Sequence, residues 1–460
     1  MKKHLNRAAV IVATLLMLAL MLSFLSSLTM RKDAYVNSKP FYEHSDQYDI
    51  LFFGTSHIRN GILPMELWTD FGYTAYNLGS SSATIPMSYW NIVNALDHSS
   101  PKLIVLDCCR LSYSGISSGT SYVHTMTDSM PLSVNKIRAA FDLGGNTSSA
   151  LELICPFSVY HARWEELTRE DFYPPLSVSH GATIGFNVAV PDRLARTEEG
   201  MVFTEEMPGV AYLEKVIELC RSRDITLLLT YLPYPATLEE VREANETARL
   251  AEKYGVDYIN FLALDTIDLD TDMYDSFSHL NYSGAQKVSN YIGRYISQHY
   301  DIPDRRGDAD FAWMEEDLSD YVDYLESSLE SDAYLFNYLL LLRQYSTACT
   351  IYVAKDSPVY DNEVLLKLIE NVSPEGKLEL LREAARDKTD YLLFVNNVDG
   401  ELQELAGSDI PDLLDTGMGT IGIESFPVIG CQVYDGLTGT NLGCDRGFAP
   451  GDDGIYIRTY

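Results

Sequence analysis

Positive charge is what this sequence has least of. Its 34 lysines and arginines face 66 aspartates and glutamates, a formal net charge of −32 over 460 residues. A surface of that sign repels phosphate backbones and anionic headgroups, so no nucleic-acid partner is expected and membrane attachment cannot rest on electrostatics. Cysteine is scarce and odd in number, seven in all, with Cys108 and Cys109 adjacent, which excludes a disulfide framework. One pair stays open. A hairpin centred on GLTG sets Cys431 opposite Cys444, as a cross-strand disulfide in an oxidising compartment or as two buried thiols. The chain also lacks a Cys/His pair at zinc spacing, a Gly-x-x-x-x-Gly-Lys loop and a Gly-x-Gly-x-x-Gly turn after a strand. Neither a metal nor a nucleotide cofactor is therefore expected.

Long apolar runs are absent with one exception, the almost uncharged stretch from Ala8 to Met30. A secretory signal has an apolar region of only ~7–15 residues, whereas a spanning helix needs ~20. This run therefore predicts an uncleaved signal anchor. Lys2, Lys3 and Arg7 precede it, and the positive-inside tendency keeps them cytoplasmic, leaving everything from Asp33 onward outside the membrane.

A chain of this length is expected to form two domains. After an anchor at 1–32 and a polar linker at 33–45, short apolar runs alternate with amphipathic segments: ILFF, PMELWTDF, YTAYNLG, IPMSYWNIVNAL and KLIVLD. The alternation resumes with ITLLLTYLP, VDYINF and a closing helix that carries Ala285, Val288, Ile292 and Tyr295 as its apolar stripe. Strands separated by helices predict an α/β fold, a doubly wound parallel sheet over 46–300, interrupted by a helical insertion at 111–205. Insertions at a sheet edge often form lids, which makes His124, His161, Arg163 and Trp164 candidate substrate contacts as well as ordinary packed polar groups. DIPDRRGDAD at 301–310 reads as a second linker. Beyond it, 311–460 reads as a smaller, strongly acidic α/β or α+β domain with no catalytic constellation of its own.

The chemistry begins at DILFFGTSHIRNG, residues 49–61. A strand-length apolar run meets Gly54, which permits the reversal that lifts Ser56 from the sheet edge. A serine there is either a helix cap or a nucleophile, and a nucleophilic serine needs a base oriented by a carboxylate. TDMYDSFSHLN supplies Asp275 and His279 just before the closing helix, at the edge where sites form in such sheets. Residues 49–106 and 225–296 together resemble the SGNH/GDSL hydrolase superfamily. The likeness is to its membrane-anchored branch, related to teichoic-acid D-alanine transfer and alginate-type O-acetylation proteins, and it covers about half of the chain.

The resemblance implies a flavodoxin-like sheet and a Ser56–His279–Asp275 triad. It further implies a Gly-x-Ser-His corner made of Gly54, Thr55, Ser56 and His57, and an oxyanion hole using the N–H groups of Ser56 and Gly79. Each such donor is worth roughly 3–4 kcal/mol. Two departures stand out. The acid of that superfamily lies three residues before the histidine, so Asp275, four before, competes with Asp272, and a helical turn in the loop would favour Asp275. The Gly-x-Asn-Asp segment has no counterpart after the third strand, leaving Asn77 or Ser80 to Ser82 as substitute donors. A cell-surface glycan or teichoic-type polymer as substrate is implied by the resemblance. So is a multi-span membrane O-acyltransferase as partner, if the reaction is transfer. The alternative is a non-catalytic envelope protein that binds glycan on the same fold.

Overall fold

The computed structural model describes residues 2–33, 35–114, 119–191, 207–343, 347–373, 378–451 and 456–459. The chain divides into two compact units. The first comprises Met1–Thr183, Leu194–Thr266 and Ser289–Phe311, the second Ile184–Arg193, Ile267–Val288 and Ala312–Tyr460. The segment carrying Asp275 and His279 falls in the second unit.

In the first unit five strands, β1 (Ile50–Phe53), β2 (Ala75–Asn77), β3 (Leu103–Asp107), β4 (Thr226–Tyr231) and β5 (Asp257–Asn260), form a wholly parallel sheet in the order β2-β1-β3-β4-β5. β1 and β3 are buried at every position. That is why both read as unbroken apolar runs rather than alternating ones: a parallel sheet covered on both faces leaves no side for water. Helices Ile85–Ala95, Gly209–Ser222 and Leu238–Tyr254 connect the strands. The last begins in a capping box, Thr237 with Glu240, and ends on Gly255 in the left-handed region, a stop signal plain in the sequence. Along helix Tyr282–His299 the buried stripe is Ala285, Val288, Ile292 and Ile296. Ile296, four residues after Ile292, takes the place expected of Tyr295, which is half-buried with its ring stacked on His299 one turn on.

The insertion forms the helices Thr120–Thr127, Val134–Leu143 and Thr147–Ile154, followed by shorter turns to Phe172. Within the expected insertion, residues 115–118 and 192–205 lie outside the described residues. Met87 of helix Ile85–Ala95 shares an apolar cluster with Val123, Met126, Ala140 and Leu143. Arg163 is spent on the N-terminal helix Lys2–Thr29, where its Nη1 donates to the carbonyls of Thr29 and Met30 at 2.7 and 2.9 Å while Asp171 holds its Nη2 at 2.9 Å. A cation on the last carbonyls of a helix is favourable placement. Ala9–Thr29 of that helix is long and apolar enough to span a membrane, and its side chains are almost wholly uncovered by the rest of the protein.

In the second unit β6 (Thr347–Val353), β7 (Tyr391–Asn396), β8 (Leu402–Ala406), β11 (Ile429–Asp435), β12 (Arg446–Pro450) and β13 (Tyr456–Arg458) form an antiparallel sheet ordered β13-β12-β11-β6-β7-β8. β9 (Leu413–Thr416) and β10 (Gly419–Gly422) make a separate hairpin. All seven cysteines are free thiols. The register explains why Cys431 and Cys444 are not joined: Cys431 pairs with Arg446, two residues past Cys444, so the two do not face each other across the hairpin.

Candidate functional site

The corner at Ser56 is built by a glycine that nothing else can replace. Gly54 has φ 151°, and a Cβ there would come within 2.8 Å of both Asp107 Cβ and Ile58 Cγ1. Thr55 then caps the helix Ser56–Gly61, its side chain accepting the His57 N–H at 3.1 Å, and Ser56 stands half-buried at the first helical position. Six residues are too few for a helix to hold itself. Neighbours hold it instead.

Asn77, at the end of β2, donates through Nδ2 to the carbonyls of Ile58 and Ile62 at 2.8 and 2.9 Å. Its Oδ1 accepts the Gly79 N–H at 3.0 Å. Asn77 is therefore a strut rather than a free donor, because both ends of its amide are committed to backbone. Gly79 is pressed against the corner, since a Cβ there would lie 2.7 Å from the Arg59 nitrogen and 3.0 Å from the Thr55 carbonyl oxygen. Ser80 fastens the same loop through its N–H to the Gly54 carbonyl at 3.0 Å. The expected oxyanion donor, the Gly79 N–H, thus already has an intramolecular acceptor.

His57 is set against Tyr234, ring centroids 4.3 Å apart, and one of its ring nitrogens lies within 4.8 Å of a ligand atom of Asp107 and of Cys109. Burial pushes the Asp107 carboxyl up to about 7; the N–H groups of Leu232 and Cys109 pull it down and nearby Glu243 raises it further. Burial, then Asp107, also pushes the Cys109 thiol far up, and its Sγ lies 3.8 Å from the Tyr234 hydroxyl. Imidazole, carboxylate and thiol together make a zinc-type donor set. Without an ion the thiol stays protonated. Spacing rules could not reveal this group, because His57 follows β1 while Asp107 and Cys109 stand at the end of β3.

In the second unit Asp275 and His279 form a closed loop. Met273 bridges to Leu280, and the Tyr274 N–H donates to the His279 carbonyl at 2.8 Å. Asp275 Oδ1 accepts three N–H groups, from Phe277, Ser278 and His279, at 3.0, 2.8 and 3.1 Å, and Oδ2 meets His279 Nδ1 at 2.5 Å. Burial works to raise the Asp275 pKa. The Ser278 N–H, the His279 ring and the N–H groups of His279 and Phe277 outweigh it and hold the carboxyl at about 2. The four-residue spacing is bridged by this carboxylate-centred turn and not by the helical turn expected. Asp272 takes no part: it is fully buried, with Lys287 Nζ at 2.7 Å and the Asp268 N–H at 2.8 Å. The loop is secured from below, where Lys367 Nζ bridges Asp268 and Asp270 at 2.9 and 2.8 Å and Asn371 reaches the Thr271 hydroxyl at 3.1 Å.

Of the insertion candidates, His124 is paired with Asp128 at 2.9 Å, His161 Nδ1 lies 3.0 Å from the Ser158 carbonyl, and Trp164 is exposed. Compared with protein-family models and with curated proteins, the chain matches none.

Proposed function

We propose that this chain is a membrane-anchored, extracytoplasmic serine esterase or O-acyl transferase built on an SGNH-type frame. Ser56 is its nucleophile, His279 its general base and Asp275 the group that fixes the imidazole. The observation that carries the reading is the Asp275–His279 pair at 2.5 Å. A carboxylate on Nδ1 holds the tautomer and orientation in which Nε2 takes a proton, and it stabilises the imidazolium that results. The sheet order β2-β1-β3-β4-β5 supports it, being that of flavodoxin-like folds, whose sites form beyond the carboxyl ends of the strands.

In this reading Ser56 Oγ attacks an ester carbonyl, its proton passes to His279, and the tetrahedral oxyanion collapses to acyl-Ser56 as His279 returns the proton to the leaving alcohol. Water or a sugar hydroxyl then releases the acyl group by the reverse proton path. The acceptor is a surface glycan or teichoic-type polymer, and transfer would require a multi-span O-acyltransferase as donor partner.

A second reading, a glycan-binding envelope protein, is favoured by the engagement of the Gly79 N–H with Asn77. Turnover of p-nitrophenyl acetate separates the two. A nitrophenol burst of one equivalent per chain, lost in Ser56→Ala, is expected of the enzyme; a folded full-length protein without a burst sinks it.

A further inference from the structure

Beside the corner, the first unit contains a cavity of about 40 Å³ whose walls include Ser38, Arg59, Ser80, Asn91 and Ser129. Three polar atoms on those walls, Arg59 Nε, Ser38 Oγ and Ser80 Oγ, are buried with no hydrogen-bond partner among the described residues. Ser80 is only 8% exposed. Nor does the Arg59 guanidinium enter an ion pair among the described residues, although the chain as a whole is rich in carboxylate. Burial lowers its pKa, and the more distant charge of Asp33 offsets that only in part. Among the described residues, no aspartate or glutamate lines the cavity.

Arg59 is half-buried, and withdrawing the Nε side of its guanidinium from water without a counter-charge in contact is costly; two hydroxyls left unsatisfied beside it add to the cost. Water answers the hydroxyls but not the charge. An oxyanion answers both: the planar fork of arginine matches a carboxylate or phosphate, and serine hydroxyls donate to the remaining lone pairs. The cavity admits roughly three water-sized groups, enough for an oxyanion, and it opens to solvent, so the rest of the molecule that carries the anion can lie outside it. Arg59 lies three residues after Ser56 on the same short helix, and Ser80 is tied by its N–H to Gly54. An anion held there is therefore registered against the nucleophile's own backbone.

We propose that this cavity is a subsite for a single oxyanion, the carboxylate or phosphate substituent of the molecule on which Ser56 acts. Its connection to catalysis rests on the serine-enzyme reading; its capacity to bind an anion does not. The test is calorimetric titration of the full chain in detergent with glucuronate and with glycerol 3-phosphate, beside glucose and glycerol. At least one anion is expected to bind and both neutral compounds to fail. The anion that binds identifies the source as a uronic-acid or a phosphate-bearing polymer.

Arg59→Gln, which removes a half-buried charge that has no ion-pair partner among the described residues and so should fold, is expected to weaken binding by about tenfold or more, and Ser80→Ala by about fivefold. Ser56→Ala should bind as the wild type does, which separates failure of this subsite from failure of the catalytic reading. Binding of neither anion by the folded chain, or equal binding by wild type, Arg59→Gln and Ser80→Ala, overturns the proposal.

Discussion

Asp275 shows how much a single carboxylate is asked to do, with one oxygen on three backbone N–H groups and the other on His279. Folding lowers its pKa from the ordinary 3.8 to about 2. The stability it contributes is therefore complete above the unfolded value and is lost as pH falls through the interval from 3.8 toward 2. Asp275→Asn is expected to flatten that part of a melting-temperature profile against pH; solvent screening keeps the effect modest. The same substitution should slow acylation of Ser56 by about 10³–10⁴-fold, since it removes the acceptor that fixes the imidazole. Sequence spacing left Asp272 and Asp275 as rivals. What separates them is burial and Lys287, neither of which a linear pattern displays. Gly54, by contrast, was legible, because a glycine set between a strand-length apolar run and a serine marks a sharp reversal of the chain. Gly54→Ala is expected to destabilise the corner by about 1–3 kcal/mol, measured by denaturant unfolding, through close contacts with Asp107 and Ile58.

At the scale of elements, the helix that presents Ser56 is six residues long and depends on Asn77 for its final carbonyls. Asn77→Ala should cost about 1–3 kcal/mol by leaving buried acceptors unsatisfied. It should also lower Ser56 reactivity without any contact to substrate, a result that distinguishes a strut from an oxyanion donor. The parallel strands were legible because each is a short, mostly apolar run between turn signals. β8 to β10 were not: β8 is half-buried throughout and the β9–β10 hairpin largely exposed, so neither shows a clear alternation. The cluster of His57, Asp107, Cys109 and Tyr234 escaped for a different reason. Its members are brought together by the order of parallel strands, and that order is a property of the sheet and not of any local stretch.

For the whole molecule, the acidic C-terminal part shares a compact unit with the loop that carries Asp275 and His279, which its composition concealed. Read from sequence, 311–460 is a separate acidic domain with no catalytic constellation of its own. In the structure the segment Ile267–Val288 belongs to the same unit, and Lys367 and Asn371 of helix Glu363–Val372 hold it. Lys367→Ala is accordingly expected to reduce acylation of Ser56 while leaving bulk helix content, followed by circular dichroism, unchanged. The central claim is that Ser56 is a nucleophile activated by His279, and the most direct test is labelling of the full chain in detergent with a fluorophosphonate, the modified peptide being mapped by mass spectrometry. The account predicts a single adduct on Ser56, lost in Ser56→Ala and in His279→Ala, whereas a folded protein that takes up no label, or labels equally in His279→Ala, would contradict it.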